Sequence, residues 1–197
     1  MIERRDLPLF AWGDALRAAK WRRRILVRRT TLVALGCACL AATIVAPPLP
    51  RLLWNASASA PVGLYRVAPG HGVVRGDMVI ARTPLPVRAL AASRHYVPAN
   101  VPLVKRVAGV PGDLVCAIGP EILVNGSVLA TRRAGDRLGR PLPWWTGCRT
   151  LRNGALFLLM SDTPDSFDGR YFGPTDAADV IGKATILWTR SGGSNGG

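Results

Sequence analysis

The sequence predicts a mainly β domain preceded by one N-terminal transmembrane helix. Three observations carry this. An uncharged apolar run at residues 30–46 follows a cluster of basic residues. From about residue 51 to 190, short aliphatic and β-branched stretches alternate with Gly and Pro turns, the pattern of many short strands. Within that region Asn125-Gly126, between apolar runs, is a strong two-residue hairpin signal.

The first 29 residues hold nine Lys/Arg against Glu3, Asp6 and Asp14, a net of +6 within a total of +14. Such a balance fits nucleic acid, anionic lipid or an acidic partner. Its position decides. The cluster abuts TTLVALGCACLAATIVA, a run near the roughly 17-residue lower limit for a spanning helix. Arg28 and Arg29 are placed to snorkel to headgroups, and basic residues ahead of a span orient it with its N-terminus inside. The expected order is a basic cytosolic segment (1–29, helical around 16–24), a transmembrane helix (30–47), a periplasmic β-rich domain (51–190) and a flexible tail (191–197). Pro47-Pro48-Leu49-Pro50 ends the helix and is a poor context for signal-peptide cleavage, so an uncleaved anchor in the inner membrane is expected. No helix-turn-helix or zinc pattern supports a nucleic-acid partner.

Strands are expected at residues 63–67, 77–81, 101–107, 113–118, 121–128 (turning at Asn125-Gly126), 155–160 and 180–188. Residues 130–148 read as a long excursion containing Trp144-Trp145, which either touch the bilayer interface or pack back on the sheet. Cys37 and Cys39 lie in the apolar run. Cys116 and Cys148 fall in the exported part, where an oxidising compartment allows them to pair. His71 and His95 lack ligand-like spacing to any cysteine or carboxylate, so no metal and no cofactor are expected.

Lys105 lies in the otherwise apolar run Leu103-Val104-Lys105-Arg106-Val107. With a period of two it shares a face with Val101, Leu103 and Val107, while Arg106 points the other way. A lysine works as a base only when neutral. Bringing its pKa from about 10.4 toward 7 takes roughly 4 kcal/mol of destabilisation of the ammonium, which apolar burial supplies. A lysine at the surface of an edge strand fits the same spacing. Ser59, in the small polar stretch Asn55-Ala56-Ser57-Ala58-Ser59-Ala60-Pro61, is the candidate nucleophile, with Ser57 as its competitor. The segment from Ser161 to Arg170 crowds acidic, hydroxyl and glycine residues. There Asp168 and Arg170 are spaced to form an ion pair, and Ser166 offers a hydrogen bond to the lysine; a solvated turn is the alternative.

Lys105-Arg106-Val107-Ala108-Gly109-Val110-Pro111-Gly112-Asp113 resembles the lysine box of the type I signal peptidase superfamily. Ser166-Phe167-Asp168-Gly169-Arg170 resembles its late Ser-x-Asp-x-Arg box, and the order anchor, serine, lysine box, acidic box also matches. The nucleophile box departs from the ordinary Ser-Met-x-Pro. Ser59-x-Pro61-x-Gly63-x-Tyr65, with the later Tyr171-Phe172-Gly173-Pro174, is similar instead to the TraF-type branch associated with conjugative transfer. The resemblance implies a signal-peptidase-like β domain in which Ser59 is the nucleophile and Lys105 the general base. Ser166 and Asp168 would support the lysine, and the oxyanion donor would be a backbone N–H near Ser59. It implies a serine endopeptidase that cleaves, or cleaves and cyclises, a pilin-like or other exported precursor. A general secretory signal peptidase and a non-catalytic membrane-anchored β module of a transfer apparatus are the alternatives.

Overall fold

A computed structural model of the chain describes residues 8–45 and 50–189. The expected helix stop at Pro47-Pro48-Leu49 and the tail at 191–197 lie outside the described residues. Two compact units divide the chain, Met1–Pro48 and Leu49–Gly197.

The described residues of the first unit form one helix, α1, Pro8–Val45. The short helix expected at 16–24 and the apolar run are a single uninterrupted element. Between them lie Ile25, Leu26, Val27, Arg28 and Arg29, residues that helices accept, with no proline or glycine to break the backbone. At 1.5 Å per residue the 38 residues extend about 57 Å, nearly twice a hydrocarbon core of about 30 Å. Within Trp12–Val45 an 18-residue stretch with a mean hydropathy of 1.6 makes this helix long and apolar enough to cross a membrane.

The second unit is mainly β. Its larger sheet comprises β1 (Leu52–Asn55), β2 (Gly63–Ala68), β3 (Met78–Ala81), β4 (Leu103–Gly109), β9 (Phe157–Leu158) and β10 (Val180–Thr189), in the order β1-β2-β10-β3-β4-β9. The smaller comprises β5 (Leu114–Ile118), β6 (Glu121–Val124), β7 (Ser127–Thr131) and β8 (Gly147–Thr150), in the order β7-β6-β5-β8. All pairings are antiparallel. The β6–β7 turn is Asn125-Gly126, with φ of 50° and 82°, the left-handed pair that a tight hairpin requires. β4 begins two residues later than expected. Val101 is taken into a turn, its N–H donating to Pro98 O at 3.0 Å, and Pro102 has no N–H for a ladder. Only Phe157 and Leu158 of the expected 155–160 strand pair with β4.

β1, β8 and two helices, α2 (Leu85–Ser93) and α3 (Gly169–Phe172), were not expected from the sequence. Prolines mark the entry to α2, where Pro84 is the cap and Pro86 lies in the first turn, a position without an intrahelical N–H partner in any helix. β8 takes the end of the 130–148 excursion into the small sheet, with Cys148 directly opposite Cys116, and the two sulfurs are bonded.

Two packed clusters position the loops and turns between the strands. Ala60, Tyr65, Val67, Ile80, Val104 and Met160 pack together, which brings the β1–β2 loop against β4. A separate aromatic cluster joins Ala91 of α2 to Phe167 and Tyr171. α2 ends in a Schellman closure. His95 N–H donates to Ala92 O at 3.1 Å, and Tyr96 N–H to Ala91 O at 2.9 Å. The residue in the left-handed position is His95, φ 58°, where glycine is the usual occupant. His95→Gly is therefore expected to raise unfolding stability by about 0.5–1 kcal/mol, read as a higher urea midpoint with an unchanged slope. A lower midpoint would show that the imidazole makes up for the backbone strain.

Candidate active site

Asn55 ends β1 opposite Gly63, the first residue of β2, and the loop between them carries Ser59. The loop closes around the Asn55 side chain, which is buried. Its amide NH2 lies 3.0–3.1 Å from the carbonyls of Ser57, Ala60 and Pro61, and its Oδ1 accepts from Ser57 N–H at 3.1 Å. Tyr65 adds a second tie, its hydroxyl donating to Pro61 O at 2.7 Å. Gly63 admits the close approach of β10, since a Cβ there would collide with the Trp188 carbonyl. Pro61, Gly63 and Tyr65 are thus the frame of the serine loop. Asn55 completes that frame and was not anticipated from the sequence. Its one signal was an Asn two residues ahead of a serine in a turn, a spacing that favours side-chain to backbone bonding.

Lys105 lies mid-strand in β4, paired with Val79 of β3 and only 2 % exposed. Leu103, Val104 and Val107 around it are buried too, and Arg106 reaches solvent, as the alternation predicts. Nζ lies 2.9 Å from Ser59 Oγ and 2.7 Å from Ser166 Oγ. As an ammonium it donates to both. As a neutral amine its lone pair faces the Ser59 hydroxyl while an N–H still reaches Ser166. Burial away from water holds the Lys105 pKa down to about 8. The Asp168 carboxylate pulls it upward and the Arg170 guanidinium pushes it down again.

Ser166, Asp168 and Arg170 are all buried beside it. Arg170 Nε donates to Asp168 Oδ1 at 2.8 Å, and its Nη2 donates to Met160 O at 2.6 Å and Thr163 O at 3.2 Å. Asp168 Oδ2 in turn accepts from Met160 N–H at 3.1 Å. The ion pair therefore clamps the ends of the turn that carries Ser166, and the solvated-turn alternative does not hold for this segment.

Ser57 stands beside Ser59, with its Oγ 3.0 Å from Ser59 Oγ and 3.4 Å from Ser59 N. The hydrogen bond from Lys105 goes to Ser59. These groups open into a cleft of about 770 Å³ whose lining also includes Leu53, Val104, Tyr96 and Phe167. Trp145 packs against the small sheet's core, edge-on to Phe157, and its Nε1–H donates to Gly169 O at 3.1 Å. Trp144 remains partly exposed beneath the Arg132 guanidinium. Among the described residues no group of His, Cys, Asp and Glu is arranged to hold a metal ion.

An apolar N-terminal helix, an antiparallel β domain, and a serine meeting a buried lysine in its cleft are the arrangement of a serine-type peptidase superfamily. The chain belongs to the signal peptidase, peptidase S26 family, whose pattern matches residues 23–189. It is 34 % identical to the plasmid transfer protein TraF of Escherichia coli over 164 residues, covering 78 % of this chain and 92 % of that one. It is 33 % identical to a probable conjugal transfer protein TraF of Sinorhizobium fredii, covering 68 % of this chain and 76 % of that one. A crystal structure of a signal peptidase I from Enterococcus faecalis aligns with a TM-score of 0.35 at 22 % identity, covering 58 % of this chain and 98 % of that one. The superfamily resemblance drawn from the lysine and acidic boxes is borne out by the family match, and the resemblance to the TraF type drawn from Ser59-x-Pro61-x-Gly63-x-Tyr65 and Tyr171-Phe172-Gly173-Pro174 by the sequence matches.

The site's packing sets the direction of two changes in stability. Asn55→Leu removes the donor to the Ala60 carbonyl and the acceptor of the Ser57 N–H, and should lower unfolding stability by about 1–3 kcal/mol, measured by urea unfolding. Lys105→Met should act in the opposite direction. Below pH 8 the folded chain must bury an ammonium, a penalty of about 3 kcal/mol for a pKa lowered from 10.5 to about 8. Between pH 8 and 10.5 the unfolded chain holds a proton that the folded chain has released, so wild-type stability rises with pH across that window. Lys105→Met should therefore be the more stable form at pH 7, by roughly 2 kcal/mol once the unpartnered Ser166 hydroxyl is counted. Its advantage should shrink toward pH 10.5; an advantage that does not vary with pH would refute buried-ammonium strain.

Proposed function

We propose that the chain is a membrane-anchored serine endopeptidase in which Ser59 is the nucleophile and Lys105 the general base. The observation that carries this reading is the buried Lys105 amine 2.9 Å from Ser59 Oγ at the floor of an open cleft. Serine is a weak nucleophile until a base takes its proton, and this amine is within reach and depressed enough to be partly neutral near pH 8.

In the proposed reaction Ser59 Oγ attacks a peptide carbonyl carbon while its proton passes to Lys105 Nζ. The carbonyl oxygen becomes an oxyanion, and the Ser59 N–H and the Ser57 hydroxyl are the neighbouring donors suited to receive it. Collapse breaks the C–N bond, and the Lys105 ammonium protonates the departing amine. The Ser59 ester is then attacked by water, which releases a trimmed chain, or by an amine of the substrate, which closes a cyclic one. Ser166 keeps Nζ in line through its 2.7 Å hydrogen bond, and the Asp168–Arg170 pair holds the turn beneath it.

The names of the relatives connect those proteins with plasmid and conjugal transfer, which favours a pilin-like or other exported precursor of a transfer apparatus as the substrate. The basic residues ahead of the apolar run favour an anchor in the inner membrane with residues 1–29 cytosolic, 30–47 spanning and the 51–190 domain periplasmic.

Ser59→Ala and Lys105→Ala, introduced separately, should each abolish cleavage of a pilin precursor while leaving the protein folded and inserted. Normal processing by either variant would end that residue's assignment. The wild-type rate should climb with pH along a single limb centred near 8, as the ammonium loses its proton. A limb near 6.5, the histidine range, would point to a different base.

A further inference from the structure

Strand pairing fixes Lys105, but Ser166, its buried partner, sits on a turn outside both sheets. The next residue, Phe167, is buried in an aromatic cluster. Its ring centroid lies 5.0 Å from Tyr96, 5.9 Å from Tyr171 and 5.6 Å from Phe172. Tyr171 and Phe172 are sequence neighbours on α3. Tyr96 comes from a distant part of the chain, aimed at Phe167 by the Schellman closure of α2.

Tyr96 is also locked from its far side. Its hydroxyl donates to Asp136 Oδ2 at 2.6 Å, in the 130–148 excursion. That carboxylate also accepts from Leu138 N–H and Arg140 N–H, each at 2.9 Å, and from Arg140 Nε at 2.7 Å. Arg94 ties the same two segments together, donating to Pro141 O at 2.6 Å. A ring from a third segment, braced from behind, thus presses on the residue next to the lysine's partner.

We infer that Tyr96 is a positioning residue for the Ser59–Lys105 pair: its ring fixes Phe167, and through it the turn from which Ser166 Oγ keeps Lys105 Nζ directed at Ser59. This rests on the reading of the pair as nucleophile and base. α2 and the 130–148 excursion then have a common purpose, which is to deliver and brace this ring. Tyr96 also lines the cleft, so direct contact with substrate is the competing role, and the two roles separate in measurement.

The test uses the full chain in detergent micelles and a quenched fluorescent peptide with small residues on both sides of the scissile bond, with Ser59→Ala as the inactive control. Tyr96→Leu should lower kcat about ten- to hundredfold, the scale of a small misplacement of reacting groups, with KM little changed. Tyr96→Phe keeps the ring and should retain most of the rate. The chain has only three lysines, Lys20, Lys105 and Lys183, so ¹³Cε labelling reads the Lys105 titration directly, whether or not the peptide is cleaved. A loosened Ser166 turn admits water, so in Tyr96→Leu that titration should move from about 8 toward the 10.5 of a free lysine. Phe167→Leu is read in the same way should Tyr96→Leu fail to fold. A change in KM alone, with the kcat limb and the Lys105 titration unmoved, would make Tyr96 a substrate contact and overturn the inference, as would wild-type behaviour. A wild-type chain that cleaves nothing while the titration still moves would instead remove the proteolytic reading and leave the positioning intact.

Discussion

The arrangement of the β domain depends on keeping one amine out of water. Lys105 occupies a mid-strand position where a valine or isoleucine would pack without penalty, and its pKa of about 8 measures how unfavourable the ammonium is there. Burial alone would force the chain apart at that point unless the neutral or charged amine found partners. It finds two hydroxyls, Ser59 and Ser166, from loops far apart in sequence. Neither hydroxyl carries a charge that would pin the proton on nitrogen, so the amine stays close to its neutral state. A carboxylate in either place would have done the opposite, raising the pKa and removing the base.

The charged pair nearby obeys the same constraint. Asp168 alone, buried close to Lys105, would stabilise the ammonium. Arg170 opposes it, and the two charges act on the lysine in contrary directions. A buried ion pair is a weak source of stability, because desolvating two charges offsets much of their attraction. Its return here is geometric. Arg170 reaches the carbonyls of Met160, Thr163 and Pro164, and Asp168 takes the Met160 N–H, so one pair organises a turn that no strand supports. The guanidinium suits this task because its fan of N–H groups can serve several acceptors at once, whereas a lysine would serve fewer and less rigidly.

How much of this was readable in the sequence depends on the range of each interaction. The burial of Lys105 was legible because strand alternation is local: Leu103 and Val107 flank it on the same face and Arg106 escapes on the other. The hairpin at Asn125-Gly126 was legible for the same reason, since the two left-handed residues are adjacent. The clustering of Ser166, Asp168 and Arg170 in one short segment pointed to the brace. Asn55 was not singled out, because an asparagine ahead of a small polar loop looks the same whether it faces solvent or fills the loop. Tyr96 was illegible in a stronger sense. Its value lies in meeting Phe167 and Asp136, which are 71 and 40 positions away, and nothing within the strand or helix period announces such a contact. β8 was hidden likewise, because Gly147 to Thr150 have no buried face of their own and become a strand only by pairing with β5.

These pieces divide the work between rigid and adaptable parts of the domain. The lysine sits inside the sheet on β4, laddered to Val79 of β3, with β9 covering the far end of the same strand. The serine sits on a loop, and that loop is denied freedom by one asparagine side chain and one tyrosine hydroxyl. Ser166 sits on a turn denied freedom by an ion pair below and an aromatic cluster beside it. A loop is the better platform for a nucleophile that must reach an extended peptide, because its backbone N–H groups are not consumed by a ladder, and the long 3.4 Å contact of Ser59 N–H with Ser57 Oγ is weak enough to yield to an oxyanion. A strand is the better platform for a base that must remain dry. The domain thus resolves two opposed solvent requirements across the 2.9 Å between Nζ and Oγ, and it does so by bringing an exposed loop down onto a buried strand position.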